Sequence, residues 1–392
     1  MPVTTTYPYT QYSGLWNLSS QANAKAAGTW PTPPVPHLLS WGVNTYGNLG
    51  LSNTTNYSSP KQIGTLTTWS SFSASGAGDF SAAVKSDGTL WTWGRNQFGQ
   101  LGSGNTTIYS SPKQVGSLTN WLKIATGYAY CMAIKTDGTL WSWGRNSSGQ
   151  LGLNSATYSF SSPQQVGALT NWLSVASGSY ISTIALKTDG TIWSWGYNAN
   201  GQLALGNTTS YSSPKQIGAL TNWSSAASGG FFTLATTTSG TLYGWGRNGN
   251  GQLGLGNTTY YSSPKQIGAL TTWSKIAGLI QASIAIKTDG TLWSWGQYNY
   301  GQLGLGNTTN YSSPKQVGAL TGWLYLSAAG YGASHAGSIK TDGTFWMWGR
   351  NNSGQLGLGD TTSRSSPVQV GSLTTWQNSV VAGNFTLAIA LT

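Results

Sequence analysis

Residues 121–146 read "WLKIATGYAYCMAIKTDGTLWSWGRN". The runs "YCMAIKT" and "TLWSWGRN" are rich in β-branched and aromatic residues, as strands are, and Asp137-Gly138 joins them. A two-residue Asp-Gly link between such runs predicts a type I′ hairpin, in which both central residues take positive φ. "WLKIATG" supplies another strand ahead of the hairpin. A segment such as "SPKQVG" (111–116) predicts a short outer strand with proline at its start, where no ladder donor is lost. Alternation along "TLWSWG" puts Trp141 and Trp143 on one strand face and Leu140 on the other.

The unit recurs. Trp-Gly occurs at Trp41, Trp93, Trp143, Trp195, Trp245, Trp295 and Trp348, seven copies spaced by 50 to 53 residues. Ser-Ser-Pro also occurs seven times, with prolines at 60, 112, 163, 214, 264, 314 and 367. A tryptophan after Leu-Thr-x marks the same period at Trp69, Trp121, Trp172, Trp223, Trp273, Trp323 and Trp376. The Asp-Gly link returns at Asp87, Asp189, Asp289 and Asp342, with Ser239-Gly240 as a variant, so six repeats contain the hairpin. The seventh is split. The chain ends in "NFTLAIALT", the first half of the hairpin, and the repeats begin at "HLLSWGVN" (37–44), the second half. Complementary halves at the two ends predict a closed ring, whereas an open solenoid would need polar capping repeats.

The sequence therefore predicts an all-β fold: a seven-bladed β-propeller closed by N- and C-terminal strands that share one blade. A chain of 392 residues would otherwise suggest two or three domains, but a closed repeat array can be one. Residues 37–392 form the propeller; residues 1–36, which do not repeat, form an N-terminal arm with a short helix ("NLSSQANAKAA") and a proline-rich linker.

Composition narrows the functional classes. Only 6% of residues are charged, against about 25% in ordinary globular chains. There is no glutamate, and all seven acids are aspartates. Abundant aromatics argue against disorder. One cysteine, Cys131, excludes an internal disulfide and, lying in "YCMAIK", is expected to be a buried, inert thiol. The N-terminus lacks the basic and apolar regions of a secretory signal, and no apolar run is long enough for a bilayer-spanning helix. The N-x-T sequons at Asn105, Asn207, Asn257 and Asn307 are accordingly read as turn asparagines.

"AIKTDGTLWSWGRNSSGQLGL" (133–153), followed by "SSP", resembles the regulator-of-chromosome-condensation repeat over residues 37–392. The resemblance implies a seven-bladed propeller whose terminal strands share a blade. Its best-known member is a nuclear exchange factor for a small GTPase that also binds nucleosomes, and others act in ubiquitin ligases or ciliary proteins. The resemblance also implies a structural role for His335, in "YGASHAG", because the family often carries Ser-His in an inner strand.

Little here suits catalysis. The histidines are His37 and His335, and five of seven aspartates belong to hairpin turns, leaving Asp79 and Asp360 in different repeats. General acid–base chemistry needs paired titratable groups and a metal site needs clustered ligands; no enzyme, cofactor or metal is expected. "GQLGLGN" lacks the Gly-Lys-Ser/Thr ending of a phosphate loop.

Three sets of cations repeat: Lys61, Lys113, Lys215, Lys265 and Lys315 after Ser-Ser-Pro; Lys85, Lys135, Lys187, Lys287 and Lys340 before the hairpin; Arg95, Arg145, Arg247 and Arg350 after Trp-Gly. Each set is expected on a ring, suited either to solubility or to weak multivalent attraction for a polyanion. A net charge of +11 is dilute over this length, which disfavours nucleic acid. Lys113, Lys215, Lys265 and Lys315 with Tyr211, Tyr261 and Tyr311 form a candidate polyanion or surface-glycan ring, in which near-identical weak sites gain from multivalency.

Tyr12, Leu15, Trp16 and Trp30 in the arm are candidate partner anchors. "YSGLWNLSSQANAKAAGTWP" resembles N-terminal segments of some tailed-bacteriophage structural proteins. That resemblance implies a virion component, docked on a capsid or tail protein through residues 1–36 and presenting the propeller for decoration or host recognition. The alternative is a cytoplasmic or nuclear propeller scaffold that binds a protein, GTPase or chromatin partner.

Overall fold

The computed structural model describes residues 35–392 apart from 77–78, 177–180, 308, 328–331 and 392. The four arm anchors and the short helix expected near them lie outside these residues. The described chain is all-β, with seven antiparallel sheets of four strands each.

Blade 1 runs in chain order through strands Trp69–Ala74, Phe80–Lys85, Leu90–Gly94 and Tyr109–Gln114. Blades 2 to 6 repeat this order from Trp121, Trp172, Trp223, Trp273 and Trp323. The first strand of each blade lines the axis. There Ser73 bonds the Thr126 hydroxyl at 2.9 Å and Ser75 donates to the Gly127 carbonyl at 2.8 Å, each across a blade boundary.

The closing blade confirms the split unit. Strands Pro36–Gly42 and Tyr57–Thr67 come from one end of the propeller sequence, Trp376–Val381 and Phe385–Leu391 from the other. Pro36 pairs with Leu391, and the register continues without a bulge to Gly42 opposite Phe385.

Two local expectations are corrected. The hairpin turn is not type I′, because Ser86 and Asp87 lack positive φ and only Gly88, at +78°, has it. The Gly88 amide donates to the Lys85 carbonyl at 2.9 Å, and the Lys85 amide to the Thr89 carbonyl at 3.0 Å. This is a type I turn followed by a left-handed glycine. It frees the Asp87 carboxylate to accept the Thr89 amide and hydroxyl at 3.0 and 2.6 Å, and the Thr89 oxygen to accept the Trp91 indole at 2.9 Å. The second correction concerns the outer strand. Pro112 lies inside Tyr109–Gln114, where the ladder slips between the Gly94–Tyr109 and Thr92–Lys113 pairs, so the irregularity absorbs the missing donor.

The sequence markers repeat together because they touch across blade seams. Trp143 of blade 2 donates its indole N–H to the Gln100 carbonyl of blade 1 at 2.9 Å. The same bond joins Trp93 to Asn48, Trp195 to Gln150, Trp245 to Gln202, Trp295 to Gln252, Trp348 to Gln302 and Trp41 to Gln355, at 2.9–3.0 Å. The last of these closes the ring. A Cβ on Gly102 would stand 2.8 Å from the Trp143 nitrogen, and one on Gly99 2.5 Å from the Ser161 Cα of the next Ser-Ser-Pro. The amide following Gly-Gln-Leu-Gly-x bonds that serine's carbonyl, as Gly104 does to Ser161 at 2.8 Å. Burying each of the seven seam tryptophans contributes on the order of 2–3 kcal/mol, and all seven are fully buried.

Candidate functional site

Antiparallel order sends the connections between strands one and two, and between strands three and four, to one end of every blade. The Asp-Gly hairpins and the "GALTNW" links lie at the other end. The hairpin end and the rim say nearly the same thing in every repeat; the first end, here the loop face, does not. After Trp-Gly stand Val43, Arg95, Arg145, Tyr197, Arg247, Gln297 and Arg350, and before Gly-Gln-Leu (Gly-Asn-Leu in the closing blade) stand Tyr46, Phe98, Ser148, Asn200, Asn250, Tyr300 and Ser353.

These unlike residues meet at the seams. The Arg145 guanidinium of blade 2 lies 5.3 Å from the Phe98 ring of blade 1, 5.5 Å from Tyr128 and 5.9 Å from Tyr158. Phe98 and Tyr158 pack at 5.9 Å, and Tyr158 is exposed. Arg95 lies over Tyr46 of the closing blade at 4.9 Å and 4.0 Å from Asp79. Burial raises the Asp79 carboxyl above its ordinary value, opposed by Arg95. Arg350 lies over the exposed Tyr300 of blade 5 at 5.1 Å. Arg247 stands 5.9 Å from Phe231, which packs against Tyr197 of blade 3. Stacked guanidiniums keep free edges for hydrogen bonds, and aromatic–arginine pairs of this kind dominate binding hot spots.

The two lysine sets have different fates. Those before the hairpin do not form an exposed ring, which corrects that expectation. Lys135 lies 3.8 Å from Trp141 and 4.9 Å from Trp121; Lys187 and Lys287 repeat the cage at 3.8 and 3.7 Å from Trp193 and Trp293. All three are buried, and burial lowers their pKa while the turn aspartates oppose it. The Ser-Ser-Pro lysines do reach the rim. Lys113, Lys215, Lys265 and Lys315 are exposed on outermost strands. Lys215, Lys265 and Lys315 lie 5.4–5.6 Å over Tyr211, Tyr261 and Tyr311 of the same strands. Each of those tyrosine hydroxyls accepts an amide N–H from Asn207, Asn257 or Asn307 at 3.1–3.3 Å. The same asparagines accept backbone amides two residues on, the turn role expected of the sequons.

Titratable groups are bound up in structure. Thr89, Thr139, Thr191, Thr291 and Thr344 donate to the turn aspartates and hold their carboxyls below the usual range. His37, second in its strand, and His335, first in its own, lie at the starts of antiparallel strand types, so they sit at opposite ends of their blades. His335 is fully buried, 3.1 Å from the Thr386 hydroxyl, which donates to Gln355 at 2.8 Å. The imidazole therefore donates from Nε2, and burial, helped by Arg350, depresses its pKa to about 3. Cys131 is buried, with its thiol 3.4 Å from the Gln100 carbonyl that also accepts Trp143. Other blades place Ser81, Thr183, Thr233, Ser283 or Thr386 in that role. Burial pushes the thiol's pKa far up, as befits an inert group. Among the described residues no three His, Cys, Asp or Glu side chains gather as metal ligands, and no helix is long and apolar enough to cross a membrane.

The sequence pointed to the rim and missed Tyr46, Phe98, Tyr128 and Tyr158. Their signal was available as departures from the repeat, but their convergence on arginines needs the fold.

The described residues form a closed propeller whose seams repeat one set of contacts and whose loop face differs between repeats. Residues 36–317 match the RCC1-like domain, and residues 342–389 match the regulator of chromosome condensation (RCC1) repeat. The chain belongs to the RCC1-like domain family. It is 30% identical over 181 residues to the ultraviolet-B receptor UVR8 of Arabidopsis thaliana, covering 45% of this chain and 41% of that protein. It is 29% identical over 189 residues to the E3 ubiquitin-protein ligase HERC2 of Mus musculus, covering 47% of this chain and 4% of that protein. The matched stretches thus span less than half the length of these relatives. Among solved structures, human WBSCR16 superposes with a TM-score of 0.80 at 22% identity, over 91% of this chain and 99% of that one. Prp20p of Saccharomyces cerevisiae, described with its binding to Gsp1p and histones, superposes at 0.79 and 19% identity, over 92% of each chain. At these identities the structures speak for the fold alone.

Proposed function

We propose that this chain is a non-catalytic propeller scaffold that recognises a protein partner through its loop face. The observation that carries the reading is the concentration of unlike residues there, above all Arg145 among Phe98, Tyr128 and Tyr158. These positions differ between repeats although they also touch across the seams, and partly exposed arginine–aromatic clusters supply the anchors of protein interfaces. Binding of Gsp1p and histones by Prp20p is a precedent on the same fold. The plant, mouse, human and yeast proteins named above support a cellular setting over a virion. A capsid or tail partner would act through residues 1–36, of which 1–34 lie outside the described residues.

The test is affinity capture from the source organism with the full chain, comparing wild type with Phe98→Ser/Arg145→Ala and with the rim variant Lys215→Gln/Lys265→Gln/Lys315→Gln. A partner lost with the first variant and kept with the second supports the reading. The reverse pattern overturns it.

A further inference from the structure

Six repeats carry leucine directly after Gly-Gln-Leu-Gly or its variants: Leu51, Leu153, Leu205, Leu255, Leu305 and Leu358. Each packs half-buried into the seam cluster that holds the next blade's first tryptophan. The remaining copy has Ser103, and at that seam, between blades 1 and 2, lies a cleft of about 490 Å³. That size is within the roughly 300–1,000 Å³ of small-ligand sites. The leucine that fills the other seams is the side chain missing here.

The lining has a definite chemistry. Trp121 is buried at the back of the cleft, with its unpartnered indole N–H shielded from solvent. Trp172, Trp223, Trp273 and Trp376 are unpartnered too, but leucine packs in the clusters that contain them. Trp141 and Tyr109 are half-buried aromatic walls of the cleft; the Ser103 hydroxyl donates to Asn105 Oδ1 at 3.1 Å and the Asn105 amide to the Tyr109 hydroxyl at 3.3 Å. Lys113 is exposed and, unlike Lys215, Lys265 and Lys315, lies over no tyrosine. No carboxylate lines the cleft. Aromatic walls suit the apolar face of a sugar ring, and an exposed ammonium without a competing acid suits a carboxylate on it.

We propose that the seam between blades 1 and 2 is a binding site for an acidic sugar of the hexuronate class, with Lys113 taking the carboxylate and Trp141 and Tyr109 flanking the ring. One wall of the cleft, Gly102–Asn105, belongs to the connection between strands three and four, but the site does not depend on the protein partner. It also differs from a ring of equal rim sites, because one seam alone carries the serine.

The test is calorimetry and tryptophan fluorescence on the full chain with trigalacturonate and with its neutral counterpart galactotriose. Trigalacturonate is expected to bind wild type and to lose about tenfold or more in affinity with Lys113→Gln, the loss of one charge-assisted contact. Ser103→Leu, which restores the side chain of the other repeats, is expected to abolish binding without lowering the melting temperature. Should Ser103→Leu fold poorly, Lys113→Gln and the neutral trimer still decide. No binding of trigalacturonate by wild type, equal binding by Lys113→Gln, or equal affinity for galactotriose each overturns the proposal.

Discussion

The seams and the loop face are built from the same repeats and follow opposite rules. At the seams every blade offers the next a carbonyl for a tryptophan, a glycine for close approach and an amide for a serine carbonyl. At the loop face the corresponding positions hold arginine, tyrosine, valine, glutamine, phenylalanine, serine or asparagine. Identity between repeats is explained by the need of each blade to fit two neighbours, and it requires no ligand. Divergence at positions outside that shared set of contacts is where a particular function can be written.

The sharpest way to break this comparison is to open the ring. Deleting residues 385–392 removes the strand that pairs with Pro36–Gly42 and leaves the closing blade without its centre. The full-length thermal transition is expected to vanish or to fall by well over 10 °C, since the lost side chains alone represent several buried apolar residues at about 2–3 kcal/mol each. An unchanged melt would refute the shared blade. Next in size, Trp143→Ala in one seam is expected to cost about 3–5 kcal/mol, measured by denaturant unfolding. Arg145→Ala on the loop face is expected to stay within about 0.5–1 kcal/mol of wild type. Equal losses at the two positions would remove the distinction.

His335 sharpens the comparison through pH. Its folded pKa lies near 3 against an ordinary value of 6.5. The unfolded chain therefore binds the proton first, and stability is present above about pH 6.5 and lost as pH falls toward 3. The slope approaches roughly 1.4 kcal/mol per pH unit within that window. Phe80, Phe232 and Phe385 occupy the same register in other blades, so His335→Phe is expected to fold and to flatten the melting temperature between pH 6 and 5. An unaltered pH profile would show that the imidazole is not buried neutral.

The smallest effect tests one departure inside a seam. Ala204 replaces the second glycine of Gly-Gln-Leu-Gly and takes φ +60°. Ala204→Gly is expected to stabilise by up to about 1 kcal/mol, by relieving a left-handed alanine at some entropic cost. A destabilised variant would mean that the methyl contributes more packing than strain.

Much of this was legible in the sequence. Three markers with one period gave the number of blades, and "NFTLAIALT" with "HLLSWGVN" gave the closure, because β-pairing of complementary halves follows from pattern alone. The turn type was not legible, since Asp-Gly serves both a type I′ turn and a type I turn with a left-handed glycine. The fate of the lysines before the hairpin was hidden for a related reason: Lys135 is buried by Trp121, which lies 14 positions earlier on another strand. Arg145 and Phe98 meet across a seam from positions 47 apart, so the loop-face clusters appear only once blades are set side by side. Ser103 was visible as a letter, but the cleft it leaves was not.

Amide hydrogen exchange of the full chain, with and without its captured partner, tests the central claim most directly. Slowed exchange is expected in the loop-face segments around Arg95, Phe98, Tyr128 and Arg145, with the hairpins at Asp87 and Asp137 and the rim at Lys215 and Lys265 unchanged. Protection confined to the hairpin end or the rim, with the loop face unaltered, would contradict the account.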